Sequence, residues 1–312
     1  MPVIEVEHVS KTYRSRHGNT LANDDLSLHV NAGEVYGLFG HNGAGKTTIV
    51  NQMLGLLTPD KGAIRIAGED IVKQRERGRF LCSIQPQSKT PIGELTPRAV
   101  VRIMGELRGA DPLQVDKSMD ELFEKLDITR WVDVMGNKLS GGILRLTGFC
   151  MAAVVPGKAM VLDEPTNDVD PVRRRYLWGA IRDIAQTGTA VLLVTHNVRE
   201  AESIVDEMSI LDTGRSVLQG RRRAIKSDYA GNRVKLEVAP LSGVAFPESP
   251  AWAESTVLQD GLMVMTLDRL DAPEALQWAA AINSDGKIGE YALTELSLED
   301  LYIDLVGRSE QS

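Results

Sequence analysis

The chain has 312 residues, a formal net charge of −8, and 43% hydrophobic and 25% charged residues, values that exclude disordered and fibrous classes and fit an ordinary globular protein. Its length exceeds the roughly 100–200 residues of a typical single domain, so a large domain joined to a smaller one is expected. The negative balance argues against a nucleic-acid backbone as partner.

Two cysteines, Cys82 and Cys150, lie in segments that read as a buried strand and a buried helix, without metal-ligand spacing. They read as core residues of a protein kept in a reducing compartment. The amino terminus carries Glu5 and Glu7 where a signal peptide needs basic and then apolar residues. The longest apolar passages, 147–157 and 189–195, are too short to cross a bilayer. Spanning helices, if the protein works at a membrane, are expected from another chain.

In chain order, strand-like runs at Val3–Val9, Leu26–Val30 and Val35–Phe39 lead to the loop Gly40, His41, Asn42, Gly43, Ala44, Gly45 and a helix expected over Lys46–Leu57. Further strand-like runs are Ala63–Ala67, Leu81–Ile84, Met160–Leu162, Val191–Thr195 and Met208–Leu211, with Ser216–Gln219 closing a hairpin around Asp212, Thr213 and Gly214. Several are continuous apolar runs, the mark of strands covered on both faces in a mostly parallel sheet. Residues 96–156 change to helical spacing and read as a helical insertion. Beyond the basic run Arg221–Arg223 a separate small α+β unit is expected, with strands at Val234–Val238, Leu262–Leu267 and Lys287–Ala292 and helices at Pro273–Ile282 and Leu298–Val306.

Three segments carry chemistry. A glycine loop between a strand and a helix turns successive N–H groups inward, and the helix N-terminus adds positive potential, so residues 40–48 form a phosphate cradle. Lys46 reaches the β and γ phosphates and the Thr47 hydroxyl can ligate Mg²⁺; Thr48 completes the loop. The strand Ala159–Leu162 delivers Asp163 and Glu164 at its end, Asp163 placed to hold the metal ion and Glu164 to polarise an attacking water. Leu139, Ser140, Gly141, Gly142 and Ile143 open a helix and make a second phosphate-binding end. One nucleotide needs only one such site, so two copies facing head to tail are expected, with Ser140, Gly141 and Gly142 of one reaching the γ phosphate held by the other.

On these motifs residues 3–220 resemble the nucleotide-binding subunit of an ATP-binding cassette (ABC) transporter. The resemblance implies a P-loop NTPase α/β core with a mostly parallel sheet, an antiparallel β subdomain and a helical insertion, an ATP-binding domain over 1–222 and an accessory or regulatory domain over 223–312. It implies ATP and Mg²⁺ as ligands, hydrolysis of ATP, a dimer, and separate transmembrane permease subunits as partners on the cytoplasmic side of the membrane. It also implies roles for single residues. Gln87 touches Mg²⁺ and couples to the membrane partner, His196 senses the γ phosphate, Tyr13 stacks on adenine, and Asn167, Asp168 and Asp170 form an interface loop. The tail Ser297–Tyr302 resembles that of drug-exporter and antibiotic-resistance cassettes and favours export. A soluble cassette acting on ribosomes or DNA is the alternative, although neither a second cassette nor a coiled-coil insertion is visible. Two positions depart from the pattern: Ile143 replaces the usual polar residue and Leu146 the usual arginine, with Arg145 beside it. His8, His17, His29 and His41 show no ligand spacing, and Arg173–Arg175 reads as a solvated helical face.

Overall fold

A computed structural model describes the chain except residues 1, 16–17, 89–90, 242, 246, 260 and 310–312, and except the side chains of 259, 304 and 306–309; His17 therefore lies outside the described residues. The chain divides into two compact units, Met1–Arg222 and Arg223–Ser312.

The first unit begins with β1 (Pro2–Ser15), β2 (Gly18–Asn31) and β3 (Val35–Gly40), then α1 (Lys46–Met53), β4 (Lys61–Ile66), β5 (Glu69–Asp70), α2 (Arg75–Leu81) and β6 (Cys82–Gln85). Strands β1, β2, β4 and β5 form an antiparallel sheet in the order β2-β1-β4-β5. Half-burial gives these strands their alternation: Ile4, Val6, Leu26, Leu28, Ile64 and Ile66 turn inward while their neighbours meet solvent. The expected helix Lys46–Leu57 is shorter than its apolar pattern suggests. It stops at Met53 because Leu54 caps it and Gly55, at φ 68°, reverses the chain.

The insertion follows as α3 (Pro97–Leu107), α4 (Pro112–Lys125) and α5 (Gly141–Ala153). Each helix starts where the sequence supplies a cap: the side chains of Thr96, Asp111 and Ser140 accept from backbone N–H groups of the first turn, and proline follows the first two.

The unit closes with β7 (Ala159–Asp163), α6 (Pro171–Gln186), β8 (Ala190–Thr195), α7 (Val198–Ala201), β9 (Glu207–Asp212) and β10 (Arg215–Arg221). Its second sheet has the order β10-β9-β3-β8-β7-β6, parallel except at the β10 edge. Strands β3, β7, β8 and β9 are buried along their whole lengths, which is why they read as unbroken apolar runs. Register then does the positioning. Phe39 lies beside Thr195 and Asp163 beside Val194, so the ends of β3, β8 and β7 deliver the glycine loop, His196 and Glu164 at one edge.

The second unit holds α8 (Arg222–Ala230, which starts on the last residue of the first unit), β11 (Arg233–Pro240), β12 (Ser255–Gln259), β13 (Leu262–Asp268), α9 (Ala272–Ser284), β14 (Ile288–Glu295) and α10 (Leu298–Ser309). Its antiparallel sheet, β12-β13-β11-β14, packs Leu236, Met265 and Leu267 against Ala275 and Ala279 of α9. The core of this unit is small, so a single truncation weighs heavily. Leu236→Ala removes a fully buried side chain and is expected to cost the second unit about 2–5 kcal/mol. Hydrogen exchange checks it: protection should fall in 233–295 and stay unchanged in β3 and β8.

Candidate active site

The loop after β3 is held by close backbone packing. A Cβ on Gly45 would lie 2.1 Å from the Ala22 carbonyl oxygen, and the residue adopts φ 103°; both conditions demand glycine. A Cβ on Gly40 would meet the Leu211 carbonyl at 2.5 Å. Asn23, buried, donates from Nδ2 to Gly45 O at 3.2 Å. His41 fastens the other side, with Nδ1 2.8 Å from Asn42 O and Nε2 3.0 Å from the Asp212 carboxylate at the end of β9. Ala44 is buried, whereas Asn42, Gly43 and Thr47 are exposed on the loop and first turn of α1.

Lys46 is buried and folds back into the cradle, donating from Nζ to Gly40 O at 2.6 Å and His41 O at 2.9 Å. Burial lowers its pKa, and the carboxylates of Glu164 and Asp163 act the other way. The ammonium thus occupies the inner side of a loop whose N–H groups suit phosphate oxygens, with only backbone carbonyls as local acceptors. Tyr13 stands near the end of β1, which runs six residues past the expected Val9. Its ring is half exposed and its hydroxyl is 3.5 Å from that of Thr48. The strand extension brings an aromatic face beside the start of α1.

At the end of β7, Asp163 and Glu164 are both buried. Glu164 accepts three hydrogen bonds: from the Thr195 hydroxyl at 2.7 Å, from His196 N at 2.9 Å, and from the His196 ring at Nδ1, 2.6 Å away. The Nδ1 contact joins the imidazole and the carboxylate directly, with one proton between them. Glu164 also carries φ 51°, a left-handed backbone that a non-glycine residue keeps only when its surroundings enforce it. Burial and the neighbouring Glu164 push the Asp163 carboxyl up to about 6, against Lys46 and Arg145. The Thr47 hydroxyl and the Asp163 carboxylate are hard oxygen donors of the kind that suit a divalent cation, whose charge would offset the repulsion between Asp163 and Glu164.

The structure brings Lys46, Asp163, Glu164 and His196 together; the other expected residues have different surroundings. Gln87 is exposed just beyond β6, and its backbone carbonyl accepts from Arg145. Ser140 is exposed, its hydroxyl accepting from Ile143 N at 3.4 Å as the cap of α5. Gly141 and Gly142 form the first turn, where N–H groups lack intrahelical acceptors. Asn167 is partly buried and Asp168 exposed at φ 64°. Asp170 caps α6, accepting from Val172 N and Arg173 N at 3.1 Å and pairing with Arg173 at 2.9 Å, a task that needs no second subunit. Arg173 also stacks over the Trp131 ring and bonds Asp127, so it is no merely solvated residue. Thr195, Asp212 and Asn23 escaped the sequence reading because each acts through a contact between distant segments and carries no motif.

A family model described as ABC transporter matches residues 23–167. The Nod factor export ATP-binding protein I of Burkholderia lata is 30% identical over 312 residues, 100% of either chain. The daunorubicin/doxorubicin resistance ATP-binding protein DrrA of Streptomyces peucetius is 30% identical over 308 residues, 97% of this chain and 92% of that one. A solved ATP-binding subunit of an ABC transporter superposes with a TM-score of 0.67 at 25% identity, over 73% of this chain and 93% of that one. A phosphate loop, an acid pair and a capped helix end are thus joined to end-to-end similarity, and the chain belongs to the ABC transporter family as an ATP-binding, ATP-hydrolysing subunit of a transporter.

Proposed function

We propose that two copies of this chain close head to tail on two ATP molecules and drive export through separate permease subunits on the cytoplasmic side of a membrane. The observation that carries the reading is the Glu164 carboxylate, fixed by Thr195 and His196 at the strand edge that also bears the phosphate loop. Export is supported by the end-to-end likeness to proteins named for Nod factor export and drug resistance. Among the described residues no helix is long and apolar enough to cross a membrane, so the permease is assigned to other chains. The unit 223–312 serves as an accessory or regulatory domain.

In each site the loop 40–48 binds the triphosphate, Lys46 leaves its carbonyl acceptors for the β and γ phosphates, and Tyr13 stacks on adenine. Thr47, Gln87 and Asp163 would hold Mg²⁺, which when bound supplies positive charge against the phosphate oxygens. Glu164 takes a proton from the attacking water as its oxygen bonds to the γ phosphorus and the bond to the bridging oxygen breaks. His196, paired with Glu164, reports on the γ phosphate. The partner's helix end, Ser140 to Gly142, closes over the same phosphate, and Asn167, Asp168 and Asp170 line the loop between the sites.

Glu164→Gln should slow turnover about a hundredfold or more while ATP binding persists; unchanged hydrolysis would exclude Glu164 as the base. Dimers mixing a Ser140-defective with a Lys46-defective chain should keep at most one working site, and two would refute the head-to-tail arrangement. The acid pair gives a pH test on the nucleotide-free, metal-free chain. Because the folded Asp163 holds its proton up to about pH 6 and the unfolded one releases it near pH 4, its contribution to stability is full below pH ~4 and is lost as pH rises through about 6. Asp163→Asn should therefore gain stability relative to the parent chain between pH 4.5 and 7, read from thermal unfolding. A gain that does not grow with pH would overturn the assignment.

A further inference from the structure

The helix led by Ser140 is fastened to its own subunit at two points. Arg145, only 5% exposed, sits one turn into α5 and extends its guanidinium to the segment after β6. Nη1 donates to Pro86 O at 2.9 Å and Nη2 to Gln87 O at 2.7 Å. The contact is returned: Gln85, buried, donates from Nε2 to Arg145 O at 2.8 Å. The second fastening is Gly142, where a Cβ would lie 2.5 Å from the Asp168 carbonyl oxygen. The first two turns of α5 therefore touch both the Gln87 segment and the interface loop.

The residue type follows from the acceptors. Gln85 is the last ladder residue of β6, so the carbonyls of Pro86 and Gln87 have left the sheet and need donors. A guanidinium presents two parallel N–H groups in a rigid fork and keeps its charge when buried; an ammonium on a flexible stem offers one point of contact. Burial lowers the Arg145 pKa, and Asp168, Asp163 and Glu164 favour the charged form. The same cation thus stabilises the acid pair and grips the backbone that carries Gln87.

We propose that Arg145 is a positioning residue for hydrolysis, tying the Ser140-led helix to the Gln87 backbone so that displacement of that helix end moves Gln87 within the same subunit. Since that helix end meets the nucleotide held by the other subunit, the tie links the two sites. The proposal rests on the readings of Gln87 and Ser140 given above.

The test uses the purified full-length chain, with ATP and Mg²⁺ as probes and hydrogen exchange of the peptide 82–88 as a readout independent of turnover. Arg145→Met should lower kcat about tenfold or more through misplacement, leave KM for ATP within about twofold, raise the Mg²⁺ needed for half-maximal rate and speed exchange in 82–88. Arg145→Lys, which keeps the charge and guards against loss of fold, should recover part of each effect. The double variant Arg145→Met, Gln87→Ala should turn over no more slowly than Gln87→Ala alone, because one residue acts through the other. A double variant slower by the full Arg145→Met factor, or unchanged exchange in 82–88, would overturn the proposal. Parental turnover in Gln87→Ala would instead remove the reading of Gln87 and the catalytic part of the proposal with it, while faster exchange in Arg145→Met would still show the tie itself to exist.

Discussion

Buried charge at the edge where β3, β8 and β7 end is the constraint that organises this molecule. Lys46, Arg145, Asp163 and Glu164 are all withdrawn from water there, two cations facing two anions. Removing one partner from such a set strands the others, at a cost on the order of 3–5 kcal/mol. The set therefore tolerates little error in position. A parallel ladder supplies the accuracy, because its register is fixed by apolar faces on both sides and a slip of one residue would turn every side chain over. Glycine supplies the rest: only a residue without Cβ lets the loop at Gly45 approach the Ala22 carbonyl.

Within that frame the resting site is occupied by its own hydrogen bonds. Lys46 is spent on Gly40 O and His41 O, and Glu164 on Thr195 and His196. A triphosphate offers the Lys46 ammonium ionised acceptors in place of neutral carbonyls, adding the attraction of a full negative charge to bonds whose donor is already charged. For Glu164 the competing interaction is the imidazole, so the proposed base and the proposed phosphate sensor are joined by a direct contact.

How much of this is legible in the sequence depends on whether a feature is local. The glycine loop, the acid pair ending an apolar strand and the serine-capped helix are each contiguous, and the mostly parallel core with its helical insertion follows from unbroken apolar runs and a change of period. What is not legible depends on meetings between distant segments. Nothing near Arg145 says that its guanidinium turns inward to Pro86 and Gln87; in the sequence it is only the neighbour of Leu146, where the pattern has an arginine. Asp170 reads as an interface residue through the resemblance of the segment after Glu164, and its capping of α6 is a second task that the resemblance does not announce. The over-long expectation for α1 has a similar origin, since apolar residues continue through Leu57 while Gly55 ends the helix. Strand β12 is missed because Val257 and Leu258 are exposed, so no face of it alternates.

The signature glycines illustrate how one residue type answers two demands. A site for a partner's phosphate requires bare N–H groups at a helix start, which glycine leaves accessible. Contact with the Asp168 carbonyl requires the same absence of side chain at Gly142, within one subunit and without any ligand. A substitution at Gly142 would therefore press on the Asp168 carbonyl within the subunit and, on the proposed head-to-tail reading, also on the approach of the opposing phosphate. Ser140 is free of the second demand, being exposed and capping only its own helix. On the proposed head-to-tail reading, Ser140 is therefore the member of this helix end that can be altered while the contacts of Gly142 and Arg145 within the subunit stay in place.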